Sequence, residues 1–248
     1  MKKSEYFIAI ISVILLACYI MGYPQTKPYS FGIRGGLNMA NISEDLQDQT
    51  VFIEGIPFVL DFTKKNYNTY SMGGFFEYRI NPMFSLQLAA LYNMKGAIIE
   101  TGLSTILIQD TLEIGIDGTV EEDIKLAYLS FPLLGKLAFG NPVGIRPYLL
   151  AGPELSILLS AEAKTKTDIT ASIPGYSQTF RDTQKDDIKD QCESLEFAFN
   201  LGGGVEFPLS TMKAFIDARY GLGMSTVNKE GEEDFKNNVI YVNVGLAF

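Results

Sequence analysis

The 248-residue sequence contains no histidine. Histidine is the side chain most often used as a general base near neutral pH, and it is a common ligand of zinc and copper. A Ser–His or Cys–His catalytic pair is therefore excluded, and a zinc or copper site is not expected. A mechanism that uses only carboxylates stays open, with Glu154, Glu196, Glu206 and Asp217 as its candidates. The alternative for these acids is ion pairing with Arg146 and Arg219.

Cysteine is almost as scarce, with Cys18 and Cys192 as its two copies. Cys18 lies in an N-terminal stretch that resembles an export signal, so its removal would leave one cysteine and no intramolecular disulfide. We interpret Cys192 as an incidental loop thiol. Stability is then expected to come from backbone pairing and side-chain packing.

Long hydrophobic runs are limited to the N-terminus, where two lysines precede the apolar stretch Tyr6–Ile20. This order is typical of a signal peptide, and the stretch is short of the ~20 residues that a membrane-spanning helix needs. We predict a signal peptide over residues 1–24, with an undefined cleavage point, and a mature domain over 25–248. "LLAC" at Leu15–Cys18 also resembles a lipoprotein box, which is the minor alternative.

Basic residues are in deficit, with 20 Lys and Arg against 29 Asp and Glu and a net charge of -9. A nucleic-acid partner is not expected, because neutralising phosphates requires clusters of Lys and Arg. The stretch "DGTVEED" at Asp117–Asp123 offers oxygen ligands to a hard cation, but it lacks the spacing of an EF-hand loop. We predict that it is a solvated loop.

The feature that is abundant is alternation of apolar and polar residues. In the final segment, "NNVIYVNVGLAF", Ile240, Val242 and Val244 lie on one face, and Tyr241 and Asn243 lie on the other. A period of two predicts a β-strand with two different faces. The pattern recurs in seven further segments: Ser30–Asn41, Thr69–Ile80, Met83–Lys95, Lys125–Phe139, Ile145–Ser160, Ser194–Phe207 and Lys213–Val227.

The connections between these eight predicted strands alternate in length. Three are short and rich in turn residues, and the others are Ile42–Asn68, Gly96–Ile124, Ala161–Glu193 and Asn228–Lys236. Short turns on one side and long loops on the other are typical of a transmembrane β-barrel. The alternation within Thr105–Ile116 predicts a hairpin that projects beyond the bilayer.

The two faces of the predicted strands differ in charge. The apolar faces carry no charged residue, whereas the polar faces carry both signs: Arg34, Arg79, Lys95, Lys136, Arg146 and Arg219 with Glu77, Glu154, Glu196, Glu206 and Asp217. We predict that the apolar faces contact lipid and that the charges pair inside the lumen. Aromatic residues near the short-turn ends predict an interfacial girdle: Phe31, Tyr78, Phe84, Phe139, Phe207 and Phe248. A soluble lipid-binding barrel would need the opposite orientation.

Several blocks of the chain resemble the PorT-like outer-membrane β-barrel family. They include "YNMKGA", "YLSFPLLGKLAF", "RPYLLAGPELSILLS" and the terminal "VNVGLAF", and the resemblance extends over nearly the whole mature chain. Strands of that family often carry an acid at the position of Ser130, so one lumen pair of the family is expected to be missing. The resemblance implies an outer-membrane location and, in the namesake, a role in protein secretion.

We therefore predict an all-β, single-domain, eight-stranded antiparallel up-and-down transmembrane β-barrel. We expect it to be non-enzymatic, with no catalytic, cofactor-binding or metal residues, a plugged lumen and long acidic extracellular loops. The expected partners are outer-membrane lipid and lipopolysaccharide, with other cell-envelope proteins as further candidates. The alternatives are an accessory of a protein secretion system and a soluble periplasmic lipid-binding barrel.

Overall fold

The computed structural model describes residues 28–42, 49–53, 56–109, 112–141, 144–229 and 235–248. The predicted signal peptide and lipoprotein box lie outside these residues. The strands are β1 (Tyr29–Ile42), β2 (Gln49–Ile53), β3 (Ile56–Lys65), β4 (Tyr67–Arg79), β5 (Phe84–Gln109), β6 (Leu112–Ala138), β7 (Arg146–Ile173), β8 (Tyr176–Asp187), β9 (Leu195–Leu209), β10 (Met212–Gly223) and β11 (Asn237–Ala247). A 3-10 turn covers Lys189–Gln191. No helix in the described ranges is long and apolar enough to cross a membrane.

Eight of the strands form a closed antiparallel ring. Its order is β1, β4, β5, β6, β7, β9, β10, β11 and back to β1. Closure between the first and last strands runs from the pair Gly32–Ala247 to the pair Ile42–Asn237. A closed ring leaves no unpaired strand edge, which hydrocarbon would penalise. The eight predicted barrel strands are confirmed as the members of this ring.

Short connections join β4 to β5, β6 to β7 and β9 to β10, and all three lie at one end of the barrel. We call this the short-turn end and the opposite one the long-loop end. At the long-loop end β5 and β6 continue as a hairpin that stays paired up to Gln109 and Leu112. The projecting hairpin predicted around Thr105–Ile116 is therefore confirmed.

The prediction of eight strands in total is wrong, because the described residues alone contain eleven. The segments Ile42–Asn68 and Ala161–Glu193, predicted as loops, contain β2, β3 and β8. Beyond the barrel, β5 and β7 each have one side that no barrel strand covers, and these sides offer unpaired backbone groups. There β3 pairs with β5, and β8 pairs with β7.

These additions form what we call the projecting sheet. It consists, in order, of β2, β3, residues 98–109 of β5, residues 112–123 of β6, residues 162–173 of β7 and β8. Gly96 of β5 lies where the barrel passes into this sheet. Its φ is +142°, and a Cβ atom there would lie 2.0 Å from the Ile124 carbonyl oxygen, so the close approach of β5 to β6 requires glycine.

The barrel is apolar outside and polar inside. Leu88, Leu133 and Val244 are exposed on its outer wall, while Gln87, Asn93 and Asn243 are buried in the lumen. Of the eleven charged residues predicted to face inward, ten are buried and Arg79 is partly exposed. The predicted orientation is confirmed, and the soluble lipid-binding alternative, which needs an apolar interior, is wrong.

Aromatic side chains line the outer wall near the short-turn end. Tyr29, Phe31 and Phe76 form a cluster with ring centroids 5.1–6.5 Å apart. Tyr78, Phe139 and Phe207 are also exposed there. This arrangement matches the predicted girdle, and the pattern of the sequence had not indicated Tyr29 and Phe76 as members.

Candidate functional site: the filled lumen and the projecting sheet

The lumen layer nearest the short-turn end is a network of ion pairs. Lys136 donates from Nζ to Glu206 Oε2 at 2.7 Å and to Glu77 Oε2 at 3.2 Å. Arg146 donates to Glu206 Oε1 at 3.1 Å and to the Pro82 carbonyl oxygen at 2.6 Å. The network joins β4, β6, β7 and β9, because their inward residues fall at one height of the barrel.

The central layer is organised around Asp217. Arg34 forms an ion pair with this carboxylate, which also accepts hydrogen bonds from Asn243 Nδ2 at 3.0 Å and from the Tyr148 hydroxyl at 3.2 Å. Arg219 Nε lies 3.4 Å from Asp217 Oδ1. Two cations and two hydrogen-bond donors thus surround one buried carboxylate.

Two phenylalanines fill the space beside Arg34. The rings of Phe75 and Phe215 are 5.6 Å apart in an edge-to-face arrangement, and the guanidinium lies 5.7 Å and 5.2 Å from their centroids. They belong to a buried apolar cluster with Leu91, Leu134 and Leu150. The lumen of an eight-stranded barrel is about wide enough to be filled by side chains, and here aromatic rings complete the filling.

The layer nearest the long-loop end is centred on Lys95, which is 1% exposed. Its Nζ donates to Glu196 Oε1 at 2.6 Å and to Glu154 Oε1 at 3.1 Å. Asn200 Nδ2 donates to Glu154 at 3.0 Å, and Asn237 Nδ2 donates to Glu196 at 2.7 Å. One ammonium group therefore neutralises two buried carboxylates on neighbouring strands.

Polar uncharged side chains separate the central layer from the Lys95 layer. Asn38 Nδ2 donates to Asn93 Oδ1 at 2.9 Å, and Asn93 Nδ2 contacts the Ser130 hydroxyl at 3.3 Å. The hydroxyls of Ser130 and Ser156 are 2.7 Å apart. Ser130, which stands where the resembled family often has an acid, thus takes part in a serine pair instead of an ion pair.

Above Lys95, apolar side chains close the long-loop end. Leu126, Tyr128, Leu158, Ala161, Cys192 and Val227 form one buried cluster. Backbone hydrogen bonds hold the closing segments together, from Glu193 N to the Val227 carbonyl at 2.7 Å and from Lys229 N to the Gln191 carbonyl at 3.0 Å. Cys192 is a free thiol within this closure, and burial raises its pKa. Cys192 lies outside the named strands, in agreement with its interpretation as a loop thiol, and its burial in this cluster is an additional finding.

The four candidate acids do not form an acid pair free of cations. Glu154 and Glu196 share Lys95, Glu206 contacts Lys136 and Arg146, and Asp217 contacts Arg34 and Arg219. The predicted pairings with Arg146 and Arg219 are confirmed for Glu206 and Asp217, whereas Glu154 and Glu196 pair with Lys95 instead. The bridging role of Lys95 was missed, since strand alternation shows that a residue faces inward but not which neighbour it meets.

In the projecting sheet the polarity of the two faces is the reverse of that in the barrel. Its outer face, on the side of the lipid-contacting wall, is polar and carries the ion pairs Lys65–Glu100, Lys166–Glu121 and Arg181–Asp168. Its inner face, which continues the lumen wall, is largely apolar: Phe58, Leu60, Phe62, Leu103, Ile116, Val120, Ile169 and Phe180. This reversal is expected of a sheet that continues beyond the hydrocarbon, with its outer face in water.

The segment Asp117–Asp123 is part of β6 in this sheet, so its prediction as a loop is wrong. Alternation places Asp117, Glu121 and Asp123 on the outer face, where Lys166 pairs with both Glu121 and Asp123. Within the described ranges, no three acidic, Cys or His side chains converge in a way that could hold a metal ion.

The family of the chain follows from a comparison of its sequence with known families. The profile described as "Outer membrane protein beta-barrel domain" matches residues 24–228. The chain belongs to this family. The protein is accordingly located in the outer membrane, as the apolar outer wall of the barrel predicts.

Solved structures of outer-membrane barrels are similar to this chain in fold. OprG from Pseudomonas aeruginosa is 15% identical, with a TM-score of 0.40, and the match covers 90% of this chain and 97% of OprG. Neisserial surface protein A is 12% identical, with a TM-score of 0.38 and coverage of 89% and 96%. Ail of Yersinia pestis, in complex with the heparin analogue sucrose octasulfate, is 18% identical, with a TM-score of 0.34 and coverage of 89% and 99%. No curated protein sequence matches the chain significantly.

Proposed function

We propose that the protein is a non-enzymatic outer-membrane barrel with a plugged lumen that acts through its long-loop end. In this proposal the barrel anchors the chain, the projecting sheet and the acidic connections lie outside the cell, and the role is structural or one of interaction. The observation that carries it is the succession of filled layers inside the barrel, which ends in the apolar closure around Tyr128.

The plug is supported by the burial and pairing of long side chains at successive heights. The Lys136 network, the Arg34–Asp217 pair and the Lys95 network each span the interior from one wall to another. Buried charges that are paired and hydrogen-bonded resist separation, because a lone charge in such a site is costly. A continuous water path would require several of these pairs to open together.

A non-enzymatic role is supported by the chemistry of the inward residues. The sequence has no histidine, and each of the four candidate carboxylates contacts a cation. A carboxylate that is fixed beside a cation is poorly placed to act as a general acid or base on a substrate.

Lipopolysaccharide is the proposed partner of the outer face of the projecting sheet. This face begins directly above the lipid-contacting residues and carries both signs of charge, with Lys65, Lys164 and Lys166 among its bases. Basic groups fit phosphates, and the acids beside them fit bridging divalent cations.

The plug is tested by recording current through the purified protein in planar lipid bilayers. We expect no steady single-channel conductance and no passage of sugars or amino acids, while a general porin in the same bilayers conducts. Steady openings of porin size would contradict the plugged lumen and the assignment of function to the long-loop end.

An accessory role in protein secretion is the alternative proposal, and the resemblance to the PorT-like family supports it. It requires that cells without the protein secrete poorly. Normal secretion by a deletion strain would eliminate this alternative and leave the interaction role intact.

A further inference from the structure

The strand β8 forms a free edge of the projecting sheet. It pairs with β7 over its whole length, from Glu162–Asp187 to Ile173–Tyr176, without a register shift, and no other described strand pairs with it. All twelve of its residues are exposed. It contains no proline, glycine or bulge, so charge is its only protection against strand addition.

The edge borders a gap in the wall above the barrel. Within the barrel, β5 pairs with β4 and β7 pairs with β9. Beyond the barrel, β3 pairs with β5 in place of β4, and β8 pairs with β7 in place of β9. The projecting sheet therefore continues six of the eight strand positions, and no described strand lies above β10 and β11. β2 and β8 are its two ends, and because neighbouring strands alternate in direction, these two run antiparallel to each other.

Two aromatic residues are uncovered on the inner face of β8, near its Tyr176 end, whereas Asp182, Gln184 and Asp186 occupy the inner face nearer the barrel. Phe180 lies opposite Ile169, Tyr176 lies opposite Ile173, and both aromatic residues are 62% exposed. Outside the membrane, such residues cost free energy when they face water. A strand added to β8 would cover these aromatic residues and would also form hydrogen bonds with the free backbone groups of β8. A lipid chain could cover the residues but could not form these hydrogen bonds.

The outer face of the same edge indicates the charge of the added strand. Lys185 of β8 lies directly opposite Lys164 of β7, and like charges in this position repel. Neither lysine forms an ion pair with a described residue. An acidic side chain on a strand beside Lys185 would relieve this repulsion.

We propose that β8 is a docking edge for an extended segment of another cell-envelope polypeptide, which adds to the projecting sheet as a further strand. The segment alternates, with apolar residues on the side of Phe180 and Tyr176 and an acid beside Lys185. The docking proposal rests on the proposed interaction role and deepens it. Its test measures peptide binding rather than conductance, so either proposal can be contradicted without the other.

A second copy of this chain is a poorer occupant. Copies in one membrane point the same way, so a two-fold axis along the membrane normal would bring two β8 strands together in parallel. The same rotation would place the apolar inner faces on opposite sides of the joined sheet. An antiparallel pairing of β8 with itself would require barrels in two opposed membranes.

The test uses the full mature protein in lipid nanodiscs and a displayed library of random peptides as long as β8. We expect the selected peptides to alternate and to carry an acid. Binding is then measured by fluorescence anisotropy with the double variant Phe180→Lys, Tyr176→Lys. We expect it to weaken by about tenfold or more, since apolar cover and several backbone hydrogen bonds are lost. N-methylation of alternate peptide amides on the pairing side should have an effect of similar size.

The matched control is Ile106→Lys, because Ile106 is 68% exposed and lies on the projecting hairpin away from the edge. It should change the affinity by no more than about twofold. Hydrogen exchange of the parent should show new protection of β8 amides when peptide is bound, and unchanged protection of the barrel strands should verify that the variants are folded. Failure to select any peptide, binding that ignores the edge variants, or self-association abolished by them would each overturn the proposal, the last in favour of a second copy.

Discussion

Replacement of Lys95 by methionine lowers the free energy of unfolding by about 3–5 kcal/mol, the usual cost of removing one partner from a buried ion pair. The ammonium group of Lys95 is the shared partner of Glu154 and Glu196. Methionine keeps most of the volume but leaves two buried carboxylates close to each other without a cation. The measurement is equilibrium unfolding of the barrel by denaturant in lipid vesicles.

Two controls separate the ion pair from packing. Lys65→Met removes a lysine that pairs with Glu100 on the exposed outer face of the projecting sheet, and it should cost about 0–1 kcal/mol. The triple variant Lys95→Met, Glu154→Gln, Glu196→Gln removes all three charges and should recover most of the loss. A Lys95→Met variant as stable as Lys65→Met would show that this layer does not hold the barrel together.

Replacement of Val244 by arginine impairs folding into the membrane by about 2–4 kcal/mol, the cost of a basic side chain on the lipid face near mid-bilayer. Val244 is 57% exposed on the outer wall of β11, between Gly35 and Ile216 of its neighbours. In water, exposure of this size would make arginine harmless. Leu88→Arg on β5 should behave in the same way. The folded fraction is measured after refolding into vesicles.

The control for these variants is Ile106→Arg on the projecting hairpin. Ile106 has a similar exposed fraction, but it lies beyond the barrel, where arginine meets water. It should fold as the parent does, within about 0.5 kcal/mol. Equal losses for Val244→Arg and Ile106→Arg would place the lipid boundary elsewhere.

The barrel could be predicted from the sequence because alternation depends on local residue order. A segment such as Ile240–Leu246 shows by itself that it is a strand and which face is apolar. The chemistry of the other face, which joins charges of both signs with small residues, then indicates a filled lumen. The number of barrel strands and the positions of the short turns follow from the same pattern.

The parts that were missed depend on neighbours that the pattern does not show. β3 and β8 form because β5 and β7 extend beyond the ring and expose unpaired sides. The sharing of Lys95 by two acids depends on the heights of β5, β7 and β9 relative to one another. Alternation puts Phe75 and Phe215 on the polar faces, but their edge-to-face contact beside Arg34 requires the closed ring.

Two pairs of neighbouring leucines, one on β6 and one on β7, test the central claim most directly. Leu133 and Leu149 are exposed on the outer wall, whereas the next residues along the chain, Leu134 and Leu150, are buried in the lumen. The measurement is methyl NMR of the leucine-labelled protein in nanodiscs, with and without lipids that carry a paramagnetic label in the acyl chain. We predict that the label broadens the methyl signals of Leu133 and Leu149 and spares those of Leu134 and Leu150. The reverse pattern, or equal broadening of all four, would contradict a barrel that is apolar towards lipid and filled inside.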